Sequence, residues 1–171
     1  MICNGSRLLA ASPIENMLDG KNKAHGVSHG LSEAGYDIRI KQDIYFQPEL
    51  YHITGGLVRA ARVCVNNGPF QTGRFALASA IERFSMPNNL VGIVHDKSSW
   101  ARQGLSVFNT VIEPGWEGFL TLELVYHGQA PLHIPAGSGI AQVVFHEVME
   151  QANYGGKYQG QADEPVPAIV S

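Results

Sequence analysis

The sequence has few cysteines, few charged residues and no long apolar run. Two cysteines, Cys3 and Cys64, are too few for a disulfide framework, so a reducing compartment is expected. Charged residues make up 16% of the chain and the net charge is −3, which gives no basic surface for nucleic acid. No segment approaches the roughly 20 apolar residues of a membrane helix, and the first apolar run is too short for a signal peptide. We therefore expect a cytoplasmic protein with neither nucleic-acid nor membrane partners.

Several catalytic signatures are also missing. The zinc-deaminase pattern H-x-E with P-C-x-x-C does not occur. The phosphate loop G-x-x-x-x-G-K-[ST] and the dinucleotide motif G-x-G-x-x-G are not found either, and neither Ser98 nor Ser99 lies in a nucleophile elbow G-x-S-x-G. The spacing of His25 and His29 matches no metal site, so we place both in a solvated loop. Ser98 and Ser99 are accordingly interpreted as hydrogen-bond donors rather than nucleophiles.

What the chain does contain is a repeated strand-and-turn pattern. Hydrophobic residues form 44% of its 171 positions, enough for one folded domain spanning residues 1–171. Alternating or apolar stretches separated by Gly, Pro and Asn turns predict many short strands, typical of an all-β sandwich or barrel. The predicted strands span residues 36–40, 44–46, 57–65, 75–83, 90–94, 120–126 and 140–148.

Two further regions are predicted before the first long strand. Ser12, Pro13 and Glu15 form a capping-box pattern, which predicts a short N-terminal helix over residues 13–18. Residues 20–35 are rich in Gly, Ser and His without an apolar period, which predicts a loop.

The polar chemistry is concentrated between residues 92 and 126. Lys97, Ser98 and Arg102 could together hold a polyanion through charge-assisted hydrogen bonds. Glu123 lies on the same face of its predicted strand as Thr121, where it could act as a general acid and base. A solvated strand face and an ordinary loop would also account for these residues, and spacing alone leaves that alternative open.

Five segments resemble, in order, motifs of the dCTP deaminase branch of the dUTPase-like superfamily. The family motifs are S-A-S-Y-D-L-R, F-A-L-A-S-T-x-E, R-S-S-L-A-R, I-D-P-G-W with L-T-L-E, and K-Y-Q-G-Q. The matching segments are S-E-A-G-Y-D-I-R at 32–39, F-A-L-A-S with I-E at 75–82, K-S-S-W-A-R at 97–102, I-E-P-G-W with L-T-L-E at 112–123, and K-Y-Q-G-Q at 157–161. Each motif is modest alone, but five in order over most of the chain are specific.

The resemblance implies a distorted, dUTPase-like β-barrel that assembles as a homotrimer with active sites between subunits. It implies metal-free hydrolytic deamination of dCTP to dUTP and ammonia, with Mg²⁺ present only as the nucleotide's counter-ion. Glu123 would take a proton from the water that attacks C4 of cytosine, then deliver protons to N3 and to the leaving ammonia. Ser98 and Arg102 match positions that orient the water and bind substrate.

The resemblance also implies a set of substrate-binding residues and a lid. Lys97 stands where the family has a phosphate-binding arginine, and Lys157 and Gln161 match tail residues that close over the triphosphate. Residues 150–171 would therefore form a C-terminal lid, although composition alone describes a frayed tail. The remaining predicted substrate-binding residues are Ser99, Asn109, Glu113, Trp116 and Tyr154.

Departures from the family pattern leave the base and the reaction open. Lys97 cannot make the bidentate contact of arginine. The loop before Pro114 has the length of a dUTPase hairpin, and Asn109 replaces an alanine and could read either pyrimidine. Glu113 stands where dUTPases use an aspartate to activate water. The alternatives are therefore a dUTPase or a bifunctional deaminase–diphosphatase, and an inactive nucleotide-binding regulatory protein.

Against a plain dUTPase, Glu123 replaces the apolar residue that dUTPases have at its position. The tail also lacks their R-G-x-G-G-F-G motif. The sequence therefore favours deamination over hydrolysis of the triphosphate.

Overall fold

The computed structural model describes residues 1–53, 56–108 and 111–170, and for residues 49–60 within these ranges it describes the backbone only. These residues form fourteen strands and two short helices, α1 (Gly5–Ala11) and α2 (Ser98–Ala101). The strands are β1 Ile2–Cys3, β2 Lys21–Ala24, β3 Val27–Leu31, β4 Tyr36–Arg39, β5 Ile44–Ile53, β6 Gly56–Val65, β7 Gln71–Thr72, β8 Phe75–Ser85, β9 Leu90–Asp96, β10 Leu105–Phe108, β11 Val111–Ile112, β12 Glu117–Tyr126, β13 Leu132–Ile134 and β14 Gly139–Glu147. Neither helix has the length and apolar character needed to cross a membrane.

The strands form three antiparallel sheets. The largest has the order β11-β9-β14-β4-β3-β2, with β1 also paired to β14. A second sheet has the order β10-β12-β8, and a third has the order β13-β5-β6-β7. The predicted all-β class is confirmed. Within the described ranges the sheets do not close into one barrel, and the backbone pairing between the end of β4 and β8 is limited to an isolated bridge between Ile40 and Ala80.

The alternation along β12 shows how the sequence positions the site. Leu122, Leu124 and Tyr126 point into the core and are almost fully buried. Thr121 and Glu123 alternate with them and lie half-buried on the opposite face. Because successive strand residues face opposite sides, burial of the leucines fixes the side on which the carboxylate emerges.

All seven predicted strands are present. The strand predicted over residues 44–46 extends to Ile53, and the ends of the others differ by at most a few residues. The predicted helix over residues 13–18 is wrong. Helix α1 instead ends at Ala11. Its C-terminal capping residue, Ser12, has a left-handed φ of 46° and donates its backbone N–H to the Leu8 carbonyl at 3.0 Å. Pro13 follows because proline cannot continue a helix, and Ile14 is buried in a bridge with Phe84. The capping pattern therefore marks the end of a helix.

The predicted loop over residues 20–35 is also wrong. It contains the β2–β3 hairpin, whose turn uses left-handed backbone at His25 and Gly26. His25 is exposed as expected, whereas His29 is 8% exposed and faces the interior. Burial lowers the pKa of His29, because it disfavours the charged imidazolium. The strands were not predicted because β2 is polar except for Ala24 and has no apolar period.

Candidate active site

A cavity of about 370 Å³ lies between β11, β12 and the C-terminal tail. Apolar side chains from all three elements contribute to its wall, together with Thr121 and Tyr158. Five of the residues predicted from the sequence line this cavity: Glu113, Trp116, Glu123, Tyr154 and Gln161.

Glu123 supplies a half-buried carboxylate to this cavity. It lies on the central strand of its sheet, opposite Phe108 on β10 and Leu77 on β8. Burial raises the pKa of Glu123 above its ordinary value of 4.5, and a hydrogen bond from its own backbone partly offsets this effect. Across the described ranges, no other side chain forms an ion pair or hydrogen bond with the carboxylate. The group is therefore able to take up and release a proton on a bound molecule.

The turn between β11 and β12 supplies a second carboxylate and an aromatic wall. Glu113 is exposed, and its backbone carbonyl accepts the Trp116 N–H at 3.2 Å. The Trp116 ring is 6% exposed and lies 6.0 Å from the Phe84 ring, centroid to centroid. Its indole Nε1 donates to the Tyr158 carbonyl at 2.7 Å. Trp116 thus connects the cavity wall to the tail.

The tail docks mainly through backbone atoms. Gly160 N–H donates to the Glu117 carbonyl at 2.9 Å, and Phe119 N–H donates to the Gln161 carbonyl at 3.1 Å. These bonds flank a parallel bridge between Gly118 and Gln161. The tail therefore pairs with the start of β12, beside the cavity, much as a short added strand would.

Beyond this bridge, the tail runs over the cavity. Thr121 Oγ1 donates to Gln161 Oε1 at 3.3 Å and accepts the Val166 N–H at 3.0 Å. Val166 and Ala168 line the cavity itself. Lys41 holds the same segment through an ion pair of 2.5 Å with the Asp163 carboxylate.

Lys157 is exposed and is not part of the cavity wall. Its Nζ donates to the Ile169 carbonyl and lies 5.4 Å from the Tyr158 ring centroid. In this arrangement, the cation expected to bind phosphate is instead engaged by the chain's own last residues.

The predicted residues of the 97–102 segment lie elsewhere. Ser98, Ser99 and Arg102 are exposed on or next to α2 and do not line the cavity. Lys97 is the N-terminal capping residue, directly before α2, and its ammonium forms an ion pair with Asp37 at 2.5 Å. Asn109 lies outside the described residues.

Sequence reasoning missed several residues that contact the cavity. Tyr158 lies within the K-Y-Q-G-Q motif but was not assigned a role, and Val166 and Ala168 follow that motif. The only signal for the last two was an apolar stretch interrupted by prolines at the end of a polar tail. Within the described portion of the chain, no group of three or more His, Cys, Asp or Glu side chains could hold a metal ion.

Comparison with known proteins identifies the family. Residues 9–148 match the family model described as dCTP deaminase-like. A dCTP deaminase of Herpetosiphon aurantiacus is 35% identical over 170 residues, covering 91% of this chain and 90% of the relative. A dCTP deaminase of Nitrosospira multiformis is 36% identical over 157 residues, covering 84% and 81%.

Solved structures with a similar fold are dUTPases. The native EIAV dUTPase has a TM-score of 0.50 at 18% identity, covering 86% of this chain and 92% of that one. A mutant dUTPase from phage phi11 of S. aureus, described with a structural Mg(II) ion, has a TM-score of 0.51 at 15% identity, covering 84% and 92%. At these identities the likeness shows the dUTPase-like fold alone. The sequence matches are more specific, and the chain belongs to the dCTP deaminase-like family.

Proposed function

We propose that this protein is a hydrolase that deaminates dCTP to dUTP and ammonia. The observation that carries the proposal is the half-buried Glu123 carboxylate, with its raised pKa, inside a cavity of nucleoside size. Glu123 occupies the position that matches the catalytic glutamate of the family it belongs to. The relatives named dCTP deaminase support the same reaction.

The chemistry requires one group that accepts and then returns protons. The oxygen of water forms a bond to C4 of cytosine while Glu123 takes one proton from that water. Protons then pass to N3 and to the exocyclic amine, and the bond from C4 to that amine breaks to release ammonia. A carboxyl with a raised pKa suits both steps, because a pKa nearer to the operating pH lets the group both accept and return a proton. We assign Mg²⁺ only the role of counter-ion to the nucleotide.

The walls of the cavity fit a pyrimidine nucleoside. Trp116 and Tyr154 offer aromatic surface, while Thr121 offers a hydroxyl on the strand face of Glu123. We assign the triphosphate to Lys157 and Gln161 of the tail, with Ser98, Ser99 and Arg102 of the α2 region. All of the α2 side chains in this set are exposed and therefore accessible to a ligand.

We also propose that the protein is a homotrimer, and the positions of these groups support an assembly. One chain brings Glu123, Glu113, Trp116, Tyr154 and Gln161 together but leaves the α2 side chains outside the cavity. A second copy can supply them in a closed assembly, in which each site combines two surfaces. The site is incomplete without that copy.

The tail from residue 150 onward acts as the lid in this proposal. Val166 and Ala168, in the last part of this lid, line the cavity, and we propose that this part competes with substrate for space there. Nucleotide binding would displace that part and release Lys157 from the Ile169 carbonyl. The lid would then close over the triphosphate and exclude bulk water.

Hydrolysis of the triphosphate is the second candidate, because Glu113 lines the same cavity as Glu123. Glutamate is one methylene longer than the aspartate that dUTPases use at the matching position. A displacement of about 1 Å costs on the order of a hundredfold in rate. We therefore propose that any cleavage of dUTP is weak compared with deamination.

Two isosteric variants test the assignment. Glu123→Gln should abolish ammonia release from dCTP while nucleotide binding survives, since the shape is kept and the base is lost. Glu113→Gln should retain most of the deamination. Glu147→Gln, an exposed glutamate on β14, is the matched control and should behave as wild type. Rapid conversion of dUTP to dUMP by wild type, unaffected by Glu123→Gln, would show that the second candidate is correct.

A further inference from the structure

A buried ion pair lies beneath the α2 segment. Lys97 Nζ is 2.5 Å from Asp37 Oδ2, and the two side chains are 10% and 4% exposed. Ser28 Oγ donates to the same carboxylate oxygen at 3.2 Å. The second oxygen, Asp37 Oδ1, is buried with no hydrogen-bond partner in the described structure. The carboxylate therefore depends on Lys97 for most of its compensation.

The pair connects α2 to β4 in the largest sheet. Lys97 is the residue before the first turn, and its carbonyl accepts the N–H groups of Trp100 at 2.9 Å and Ala101 at 3.0 Å. A second attachment comes from the Trp100 indole, which donates to the Gly139 carbonyl at 2.7 Å. Two buried contacts thus hold one short turn.

Other charges near the pair are already neutralised. Arg39 Nε is bound to Glu82 Oε1 at 2.8 Å, and the Glu82 side chain is 4% exposed. His29 is buried, and its pKa is lowered by that burial and by Arg39, which disfavours a second cation here. Lys97 is consequently the cation that Asp37 binds directly.

We propose that Asp37 is a positioning residue that acts through Lys97, and that Lys97 anchors the α2 segment instead of binding phosphate. The proposal rests on the function proposed above. It reassigns a position that the family resemblance gives to a phosphate ligand, on the ground that this ammonium is buried and already paired. The exposed Ser98, Ser99 and Arg102 would contact the nucleotide, and the buried pair would set where they lie.

The sign of one substitution separates the two roles. If Lys97 binds phosphate, Asp37→Asn removes a competing negative charge and should keep or tighten the binding of dCTP. If the pair positions α2, Asp37→Asn should weaken dCTP binding and lower kcat/KM tenfold or more. Lys97→Met should have the same two effects. The double variant Asp37→Asn/Lys97→Met should be no worse than either single variant. Each single variant leaves one buried charge unpaired, whereas the double variant leaves none.

The measurements are calorimetric Kd for dCTP, kcat/KM for ammonia release, and thermal unfolding, all on full-length protein. Glu82→Gln disrupts the other buried ion pair and is the matched control. It should lower the Tm without changing kcat/KM at temperatures well below unfolding. If a single variant fails to fold, the double variant, which contains no unpaired charge, still reports on activity.

The outcomes are distinct. Unchanged or tighter dCTP binding by Asp37→Asn, or strictly additive losses in the double variant, would overturn the positioning role. Wild-type protein that binds dCTP but releases no ammonia would overturn the proposed function alone, because the Kd comparison still decides on Asp37. Wild type that binds no dCTP would overturn both.

Discussion

Ending the chain after Ala162 should improve the enzyme, whereas ending it after Gln151 should impair it. The shorter deletion removes Val166 and Ala168 from the cavity but keeps the bridge between Gly118 and Gln161. The longer deletion also removes Lys157 and Gln161. We therefore expect one part of the tail to obstruct substrate and another part to bind it.

The size of the first effect follows from the contacts that substrate must break. The bond from Lys157 Nζ to the Ile169 carbonyl is lost, but it is exposed and adds little. Two neutral hydrogen bonds are also lost, from Val166 N–H to Thr121 Oγ1 and from Ile169 N–H to the Tyr158 hydroxyl. At about 0.5–1.5 kcal/mol each, they are worth roughly 1–3 kcal/mol. The Lys41–Asp163 pair adds little because both side chains are largely exposed. Ordering the segment opposes these terms, so we expect KM to fall about five- to tenfold.

The assay is steady-state ammonia release from dCTP by three shortened chains. The chain ending after Ala162 should show a lower KM and an unchanged kcat. The chain ending after Gln151 should show a KM raised on the order of tenfold or more, with a similar Tm, because the core strands are complete by Glu147. A chain ending after Ile169 is the control and should match full-length protein. An unchanged or higher KM after removal of residues 163–171 would refute the obstruction.

Two further predictions concern assembly and pH. Light scattering should show a closed trimer, and active enzyme that is monomeric at micromolar concentration would contradict it. Because the folded pKa of Glu123 is raised, its contribution to stability is complete below about pH 4.5 and is lost as pH rises through the folded pKa. Glu123→Gln should therefore have a higher Tm than wild type near about pH 8, and the difference should close as the pH falls toward about 4; a difference independent of pH would contradict this.

The long strands could be predicted from sequence because one face of each is buried. In β12 the leucines at every second position determine both the strand and the side on which Glu123 emerges. Strands such as β7 and β11 contain only two residues, too few for any period to be visible. The β2–β3 hairpin was missed because it pairs through its backbone while its first strand stays polar.

The site could be predicted in part for a similar reason. The residues on β12 and in the turn before it are close in sequence, and they share one cavity as expected. The partner of Lys97 is 60 positions away on β4, and nothing in the local pattern marks that contact. The role of Asp37 therefore depends on how two sheet segments meet, which sequence spacing does not encode.

The way the tail docks also limits how this protein can vary. Gly118 has φ of 136°, and a Cβ placed there would lie 2.6 Å from the Gln161 backbone nitrogen. The main-chain bonds on either side of this contact do not depend on tail side chains, although the Gln159 side chain adds bonds to the Glu117 N–H and the Gly115 carbonyl. A steric constraint therefore falls on the receiving strand. An alanine at Gly118 would push the tail away without altering any residue that touches the nucleotide. Gly115 is constrained in the same way, since a Cβ placed there would lie 2.1 Å from Asn153 Oδ1. Diversity in lid behaviour can therefore accumulate in the tail only while both glycines stay without a side chain.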